Sequence, residues 1–225
     1  MKIAILGTGV VGRSHAARLA ELGHAVVMGT QDVEKTRANT ETDAMGNIPF
    51  AEWQAKHSSV SLATFSEAIT RSDVVFDALK GEIALATLSS LKEMLAGKVL
   101  VDIANPLDFS RGMPPTLLVC NTDSLGEQIQ RALPETRVVK AFNTLNAELQ
   151  VEPMKLALGD HSLFVCGNDA EAKRIVSELA TGYGWKHVID LGDISAARGT
   201  EMLLPIWLRL WGALKTPAFN FKIVQ

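Results

Sequence analysis

The chain is poor in the features that mark disulfide-built, membrane-spanning, nucleic-acid-binding and metal-holding proteins. It has two cysteines in 225 residues, Cys120 and Cys166, and neither belongs to a Cys-x-x-Cys pair. Two scattered thiols exclude a disulfide framework and fit a reducing compartment, so a cytoplasmic location is expected. Basic charge is not in excess: 22 Lys and Arg stand against 25 Asp and Glu, a formal net charge of −3. That leaves no electrostatic footprint for nucleic acid, and none is expected as a partner. Long apolar runs are missing too. The first, Lys2 to Leu6, stops at glycines, which argues against a secretory leader. The most apolar later stretch, Met202 to Leu214, contains Pro205 and Arg209 and is too short for a bilayer of roughly 30 Å. No membrane contact is expected. Gly-x-Ser-x-Gly and His-Glu-x-x-His are absent, no Cys/His cluster exists, and no acid–base dyad stands out. Serine-hydrolase and zinc-peptidase chemistry are thereby excluded, and no metal site is expected. Internal repeats and low-complexity linkers are lacking as well.

What is present is a core and a pattern. Apolar residues make up 47% of the chain and charged residues 21%, as in a globular protein. Gly7-Thr8-Gly9-Val10-Val11-Gly12 follows the strand-like Lys2 to Leu6 directly and opens a helix from Val10 to Leu22. Strand, glycine turn and helix in this order mark a dinucleotide-binding start. The first glycine permits the turn, the second admits a pyrophosphate, and the third lets helix and strand pack closely. The helix then aims unpaired N–H groups and the positive end of its dipole at phosphate.

Further strands are expected at Ala25 to Met28, Val60 to Leu62, Asp73 to Leu79, Lys98 to Asp102 and Arg137 to Phe142. Helices are expected at Glu82 to Leu95 and Asp123 to Leu133. Beyond Asn143 come a strand at Leu163 to Cys166, a helix at Ala170 to Ala180 and a strand at Val188 to Asp190. A long helix follows from Ser195 to Leu214, kinked at Pro205. The alternation predicts an α/β fold of Rossmann type: a doubly wound, mostly parallel sheet with helices on both faces and a small α/β C-terminal domain. The expected division is 1–143 for dinucleotide binding and 144–225 closing the cofactor cleft.

The second strand ends Met28-Gly29-Thr30-Gln31. A carboxylate at this tip would bond the ribose 2′-hydroxyl of NAD; Thr30 instead leaves room for a 2′-phosphate and can bond it, which favours NADP and leaves NAD possible. Asp32 lies beyond the tip and reads as a helix cap. Lys35 and Arg37 either add positive charge for the phosphate or are ordinary solvated helix charges.

Open α/β sheets bind ligands at the C-terminal ends of their strands. Leu79-Lys80-Gly81 follows one strand, and Lys80 either meets phosphate or ribose or is a solvated loop lysine. Asn105 is either a nicotinamide or ribose contact or the start of an Asn-Pro turn. Ser110 to Pro115, with Arg111, is either near an acceptor's acidic tail or a plain turn. Leu203 to Trp211 is apolar on nearly every face and therefore expected to be buried, in the core, a subunit interface or the acceptor pocket. The connection from Asp43 to Phe50, with Trp53, reads as a lid over the adenine half or a dimer arm. His15 sits near the pyrophosphate or packs in the core; His24, His57, His161 and His187 read as surface residues.

Several segments together carry a resemblance. They are Gly7 to Gly12, Val27 to Thr30, Val138-Val139-Lys140-Ala141-Phe142-Asn143-Thr144, Val165 to Asp169, and Asp190-Leu191-Gly192-Asp193 followed by Ala197-Arg198 and Glu201. With these the chain resembles the NADP-dependent deazaflavin (coenzyme F-420) oxidoreductases, and the oxidoreductase domain of the STEAP metalloreductases. The resemblance implies an enzyme that transfers a hydride between NADP(H) and a deazaflavin or flavin-like acceptor. It places Asn143, Thr144 and Leu145 beside the nicotinamide and the second ring, with Asn143 and Leu145 as ring contacts. It also implies an arginine after the small hydroxyl residue, where this chain has Gln31. A homodimer is expected. Three other readings remain: a non-catalytic NADP-binding sensor, a flavin-dependent ferric reductase, and a dehydrogenase of a small carbonyl or imine.

Overall fold

Strand β1 (Lys2–Leu6) is buried from Ile3 onward, as an uninterrupted apolar run requires in a sheet covered on both faces. It leads into α1 (Val10–Glu21) and β2 (Ala25–Thr30), then α2 (Val33–Ala38) and α3 (Phe50–Lys56). β3 (Ser61–Thr64), α4 (Phe65–Thr70) and β4 (Val74–Asp77) follow. The helix expected from Glu82 to Leu95 is two, α5 (Gly81–Ser90) and α6 (Lys92–Leu95), because Leu91 leaves helical geometry at φ −109° and ψ 11°. After β5 (Val99–Asp102) comes a hairpin that periodicity does not reveal, β6 (Leu107–Asp108) with β7 (Thr116–Leu117). The chain continues through α7 (Leu125–Ala132), β8 (Arg137–Ala141), α8 (Ala147–Val151), β9 (Ser162–Gly167), α9 (Ala170–Tyr183), β10 (His187–Asp190), α10 (Ala197–Met202) and α11 (Leu204–Leu214). This computed structural model describes residues 1–42 and 46–225.

Eight strands make one sheet in the order β10-β9-β8-β5-β4-β1-β2-β3. Every pairing in it is parallel except β8 with β9. This is the doubly wound α/β fold that the alternation predicts. Strands after Asn143 extend the same sheet through that antiparallel junction. The chain winds outward from β1 to β2 and β3, then crosses back to β4 on the other side. The reversal between β1 and β4 opens a crevice at their C-terminal ends.

Two cores lie on the two faces. One packs α1, α3, α8 and α9 on Ile3, Ile5, Phe76 and Val101. The other packs α4, α5, α7 and α10 on Ala4, Leu6, Val75 and Leu100. Each fully buried aliphatic or aromatic side chain stabilises the fold by roughly 1.5–3 kcal/mol.

Two expectations fail at the C-terminal end. The helix near Pro205 is not buried all round: of α11 only Leu204 is buried, while Ile206 and Leu214 are 48% and 53% exposed. Apolar composition expresses a demand for cover, and within the chain Trp207 meets it by packing on Phe219 and Trp211 at 5.3 and 5.6 Å. His161 is not a surface residue but 2% exposed. It stands edge-on to Trp185, bonds the Pro153 carbonyl at 2.9 Å and meets Asn220 of the C-terminal tail at 2.8 Å. Among the described residues no helix is long and apolar enough to cross a membrane.

Candidate functional site

The glycine turn is built by contact between β1, α1 and β4. Gly7 has φ +112°, and a Cβ there would lie 2.6 Å from the Ala78 carbonyl oxygen. A Cβ on Gly12 would lie 2.4 Å from the Gly7 carbonyl oxygen. Packing demands both glycines. Gly9 differs, because nothing lies within 4 Å of where its Cβ would be. It is the N-cap of α1, extended, and no side chain caps that helix. Gly9 itself has no side chain to satisfy the first-turn N–H groups, and the approach beside it is open. That combination fits the pyrophosphate of a dinucleotide. The Thr8 carbonyl is held by Arg13 Nε at 2.7 Å, which fixes the turn. His15 is fully buried in the core, bonded to Tyr183 and Gln150, and so lies away from any phosphate.

Beside the turn runs a cleft of about 420 Å³. Val11, Leu79, Lys80, Ile103, Asn105 and Phe109 line it, so the structure brings four of the expected residues to one place. Ile103 and Phe109 were not anticipated. Ile103 continues β5 directly, and Phe109 sits at the end of the unforeseen hairpin, 56% exposed. Asn105 and Asn143 bond each other: Asn105 Nδ2 donates to the Asn143 carbonyl at 2.9 Å, and Asn143 Nδ2 donates to Asn105 Oδ1 at 3.0 Å. Asn105 also makes a turn, its carbonyl accepting from Leu107 N at 2.8 Å. Thr144 and Leu145 are buried and do not line the cleft. Phe142 turns the chain at φ +61°, which sends Leu145 into the core with Leu149.

Thr30 and Gln31 line a second pocket of about 310 Å³ with Thr64, Phe65 and Ser66. Thr36 Oγ1 donates to the Asp32 carbonyl at 2.7 Å, so Thr30 Oγ1 donates to Thr36 Oγ1 at 2.8 Å. Thr36 is therefore a member of this end that the strand-tip argument missed, since it lies one helical turn further on. Asp32 caps α2 by accepting from Lys35 N at 2.9 Å, as expected. Lys35 itself is exposed and lines neither pocket. Of the connection from Asp43 to Phe50, residues 43–45 lie outside the described residues. Phe50 and Trp53 are core residues of α3, with the Arg13 guanidinium 5.5 Å over the Phe50 ring.

Under the cleft is a buried ionic cluster. Lys140 Nζ is 2.9 Å from Asp102 Oδ2 and 2.8 Å from Glu201 Oε1, and it donates to the Ala104 carbonyl at 2.6 Å. Asp102 Oδ1 accepts from Ala104 N at 3.0 Å. Glu201 accepts from Leu125 N and Gly126 N, at 2.9 and 3.0 Å, at the start of α7. Burial alone would lower Lys140, but Asp102 and Glu201 outweigh it and hold the ammonium above its ordinary value. Burial raises Asp102, and Lys140 opposes the rise. Asp77 Oδ1 accepts from Leu79 N at 3.0 Å, tying the cleft wall to the strand below.

Comparison with known proteins places this geometry. The sequence model of the family described as NADP oxidoreductase, coenzyme F420-dependent, matches residues 2–106. The F420-dependent NADP reductase of Methanocaldococcus jannaschii is 34% identical over 100% of this chain and 99% of its own length. The Metalloreductase STEAP3 of Rattus norvegicus is 34% identical over 92% of this chain, which spans 38% of the length of that relative. A crystal structure from Arthrobacter sp. fb24, provisionally named an F420-dependent NADP-reductase, is 56% identical, covers 100% of both chains and superposes with a TM-score of 0.96. Full-length similarity to an F420-dependent NADP reductase, on a fold with a glycine cradle at its strand reversal, establishes that the chain belongs to the F420-dependent NADP oxidoreductase family.

Proposed function

We propose that this chain passes a hydride between NADP(H) and a deazaflavin acceptor, coenzyme F420, held against each other in the crevice at the ends of β1, β4 and β5. The observation that carries the reading is the open, uncapped start of α1 at Gly9, directly beside the apolar cleft. Bound there, the nicotinamide and the acceptor ring supply the redox chemistry, and the protein supplies orientation and dryness.

Each part of the site then has one task. The backbone of Gly7 to Gly12 and the first turn of α1 bind the pyrophosphate. Thr30, Gln31 and Thr36 flank the 2′-phosphate, with Lys35 adding diffuse positive charge from α2. Lys80, at the N-cap of α5, reaches phosphate or ribose. Val11, Leu79, Ile103 and Phe109 press on the rings and exclude water. Asn105 and Asn143 orient the carboxamide, while Thr144 and Leu145 hold that strand end from the core side. Residues 144–225 close one flank of the cleft. The working form is a cytoplasmic homodimer, whose interface would supply the cover that α11 lacks within one chain.

A second reading, reduction of a metal ion through a bound flavin, is favoured by the similarity to rat STEAP3. One assay separates the readings. NADPH is mixed with the purified chain, and F420, FMN, FAD or a ferric chelate is added in turn while the nicotinamide absorbance is followed. Rapid oxidation with F420 is the expected result; oxidation only with flavin plus ferric chelate would support the second reading. Tight NADPH binding with no turnover would leave a sensor. At the 2′ end, Gln31→Arg should tighten NADPH relative to NADH by about 1–3 kcal/mol through a charge-assisted contact, read as the change in the ratio of Kd values.

A further inference from the structure

Strand register sets one residue from each of five strands in a single row, on the face that carries α5, α7 and α10. The row reads Leu6, Asp77, Asp102, Lys140 and Cys166, and every member is buried. Leu6, Asp77 and Asp102 are the last residues of β1, β4 and β5, so the row lies directly beneath the cleft.

Its charges do not balance. Lys140 uses its ammonium on Asp102, Glu201 and the Ala104 carbonyl, so two carboxylates already face one cation. Asp77 is a third carboxyl beside Asp102. Its Oδ1 accepts from Leu79 N, but its Oδ2 is buried without a hydrogen-bond partner. The groups around it are Leu6 from β1, Asp102 from β5, and Lys140 and Cys166 further along the row. Glu201 comes from α10, the Gly126 amide from α7, and apolar Ala84 and Leu88 from α5. Lys140 is the only cation among them. An unpaired buried carboxylate costs several kcal/mol by desolvation, so this position favours the neutral acid. Burial first, and the Asp102 charge second, push Asp77 up to about 8, against the pull of the Leu79 amide and Lys140. The next residues along the chain, Ala78, Leu79 and Lys80, line the cleft.

We propose that Asp77 is a specificity-determining positioning residue whose proton decides which oxidation state of the nicotinamide the cleft prefers. Protonated, it puts no charge under the ring and favours the uncharged reduced form. Ionised, it puts a carboxylate there and favours the cationic oxidised form. The inference rests on the reading of the cleft as an NADP(H) site. The balance is simple: when NADP⁺ binds and Asp77 ionises, the Asp77 O–H bond breaks and the proton goes to solvent. NADPH binding releases none. Linkage makes the effect reciprocal.

The test is calorimetric titration of the full chain with NADP⁺ and with NADPH. Both carry the same 2′-phosphate, so the ratio of the two Kd values cancels that group's own titration. From about pH 6.5 to about pH 9.5 the ratio should shift toward NADP⁺ by about five- to tenfold, the size of a charge–charge coupling across partly buried protein. Near pH 8, NADP⁺ binding should release protons, seen as heat that varies with buffer ionisation enthalpy, and NADPH binding should not. Asp77→Asn, fixed in the neutral form, should make the ratio flat. A flat ratio in the unaltered chain, or a slope that survives Asp77→Asn, overturns the proposal. If Asp77→Asn does not fold, the proton count on the unaltered chain still decides, since equal release by both cofactors overturns it. Failure of both cofactors to bind at any pH would instead remove the cofactor reading itself, and this inference with it.

Discussion

On the sheet face that carries α1 and α9, His15 joins Tyr183 and Gln150; on the face that carries α7 and α10, Lys140 joins Asp102 and Glu201. Both clusters are buried, and both tie helices to the sheet. The first is neutral and complete. Gln150 Nε2 donates to the Leu145 carbonyl at 3.0 Å, which turns Gln150 Oε1 toward His15. His15 Nε2 then donates to that oxygen at 2.8 Å, and Tyr183 donates to Nδ1 at 2.9 Å. Burial holds the imidazole neutral, down to about pH 4, between Phe76 and Phe142 at 5.2 Å. The second cluster is ionic, and beside it Asp77, a third carboxyl with no cation of its own, lies next to the cleft. The difference teaches that burial of polar groups serves two ends here. A neutral set can be fully satisfied and simply join elements. A charged set with an odd member keeps a proton in play where ligands bind.

The sharpest break of this contrast is Lys140→Met. It leaves Asp102 and Glu201 facing each other in the core without a cation. The expected loss is about 3–5 kcal/mol, the cost of stranding buried charge. Denaturant unfolding at neutral pH measures it. A loss below about 1 kcal/mol, the range of an exposed pair, would show that the cluster is not ionised and that the two faces are alike.

Next in size is a pH effect of opposite sign on the two faces. Unfolded, a histidine titrates near 6.5, while folded His15 stays neutral to about 4. Its contribution is therefore complete above pH 6.5 and is lost as the pH falls through 4, by up to about 3 kcal/mol. Asp77 is raised from 3.8 to about 8, so its contribution is complete below pH 3.8 and is lost as the pH rises through 8. The stability difference between the unaltered chain and His15→Leu should thus grow with pH, and the difference from Asp77→Asn should shrink. Denaturant midpoints taken across this range measure both slopes. Slopes of the same sign would dissolve the distinction between the clusters.

How much of this was legible in the sequence follows from how local each signal is. Gly7 to Gly12, the strand-tip Thr30 and the cap at Asp32 are contiguous patterns, and the structure places them at the tight turn before α1, the second pocket and the start of α2. The alternation of strands and helices gave the sheet for the same reason. Asp77, Asp102 and Lys140 each look like an ordinary strand residue. Only register, which no single strand contains, sets them side by side, and Glu201 arrives from 61 residues beyond Lys140. His161 looked exposed because the tail that covers it, at Asn220, is 59 positions away. Leu145 was expected at a ring and is a core residue, since the positive φ of Phe142 redirects the chain. In α11 the apolar pattern led to an expectation of burial that fails, because pattern states a demand for cover and cannot say whether the same chain supplies it.

The smallest expected effect tests the neutral cluster from within. Tyr183→Phe removes one hydroxyl and leaves its ring packed beside Phe142 at 5.8 Å. His15 Nδ1 then loses its donor in a site that water does not reach, since both residues are almost wholly buried. A neutral hydrogen bond contributes about 0.5–1.5 kcal/mol net, and a stranded neutral acceptor adds a modest penalty, so the loss should be about 1–2 kcal/mol. In a double-mutant cycle with His15→Leu the hydroxyl has no partner left to lose, and the coupling should return about 1 kcal/mol. Were Tyr183→Phe as damaging as Lys140→Met, the neutral cluster would be as strongly coupled as the charged one. The ionic row under the cleft would then lose its distinction, because satisfaction alone, rather than charge, would set the energetics of both faces.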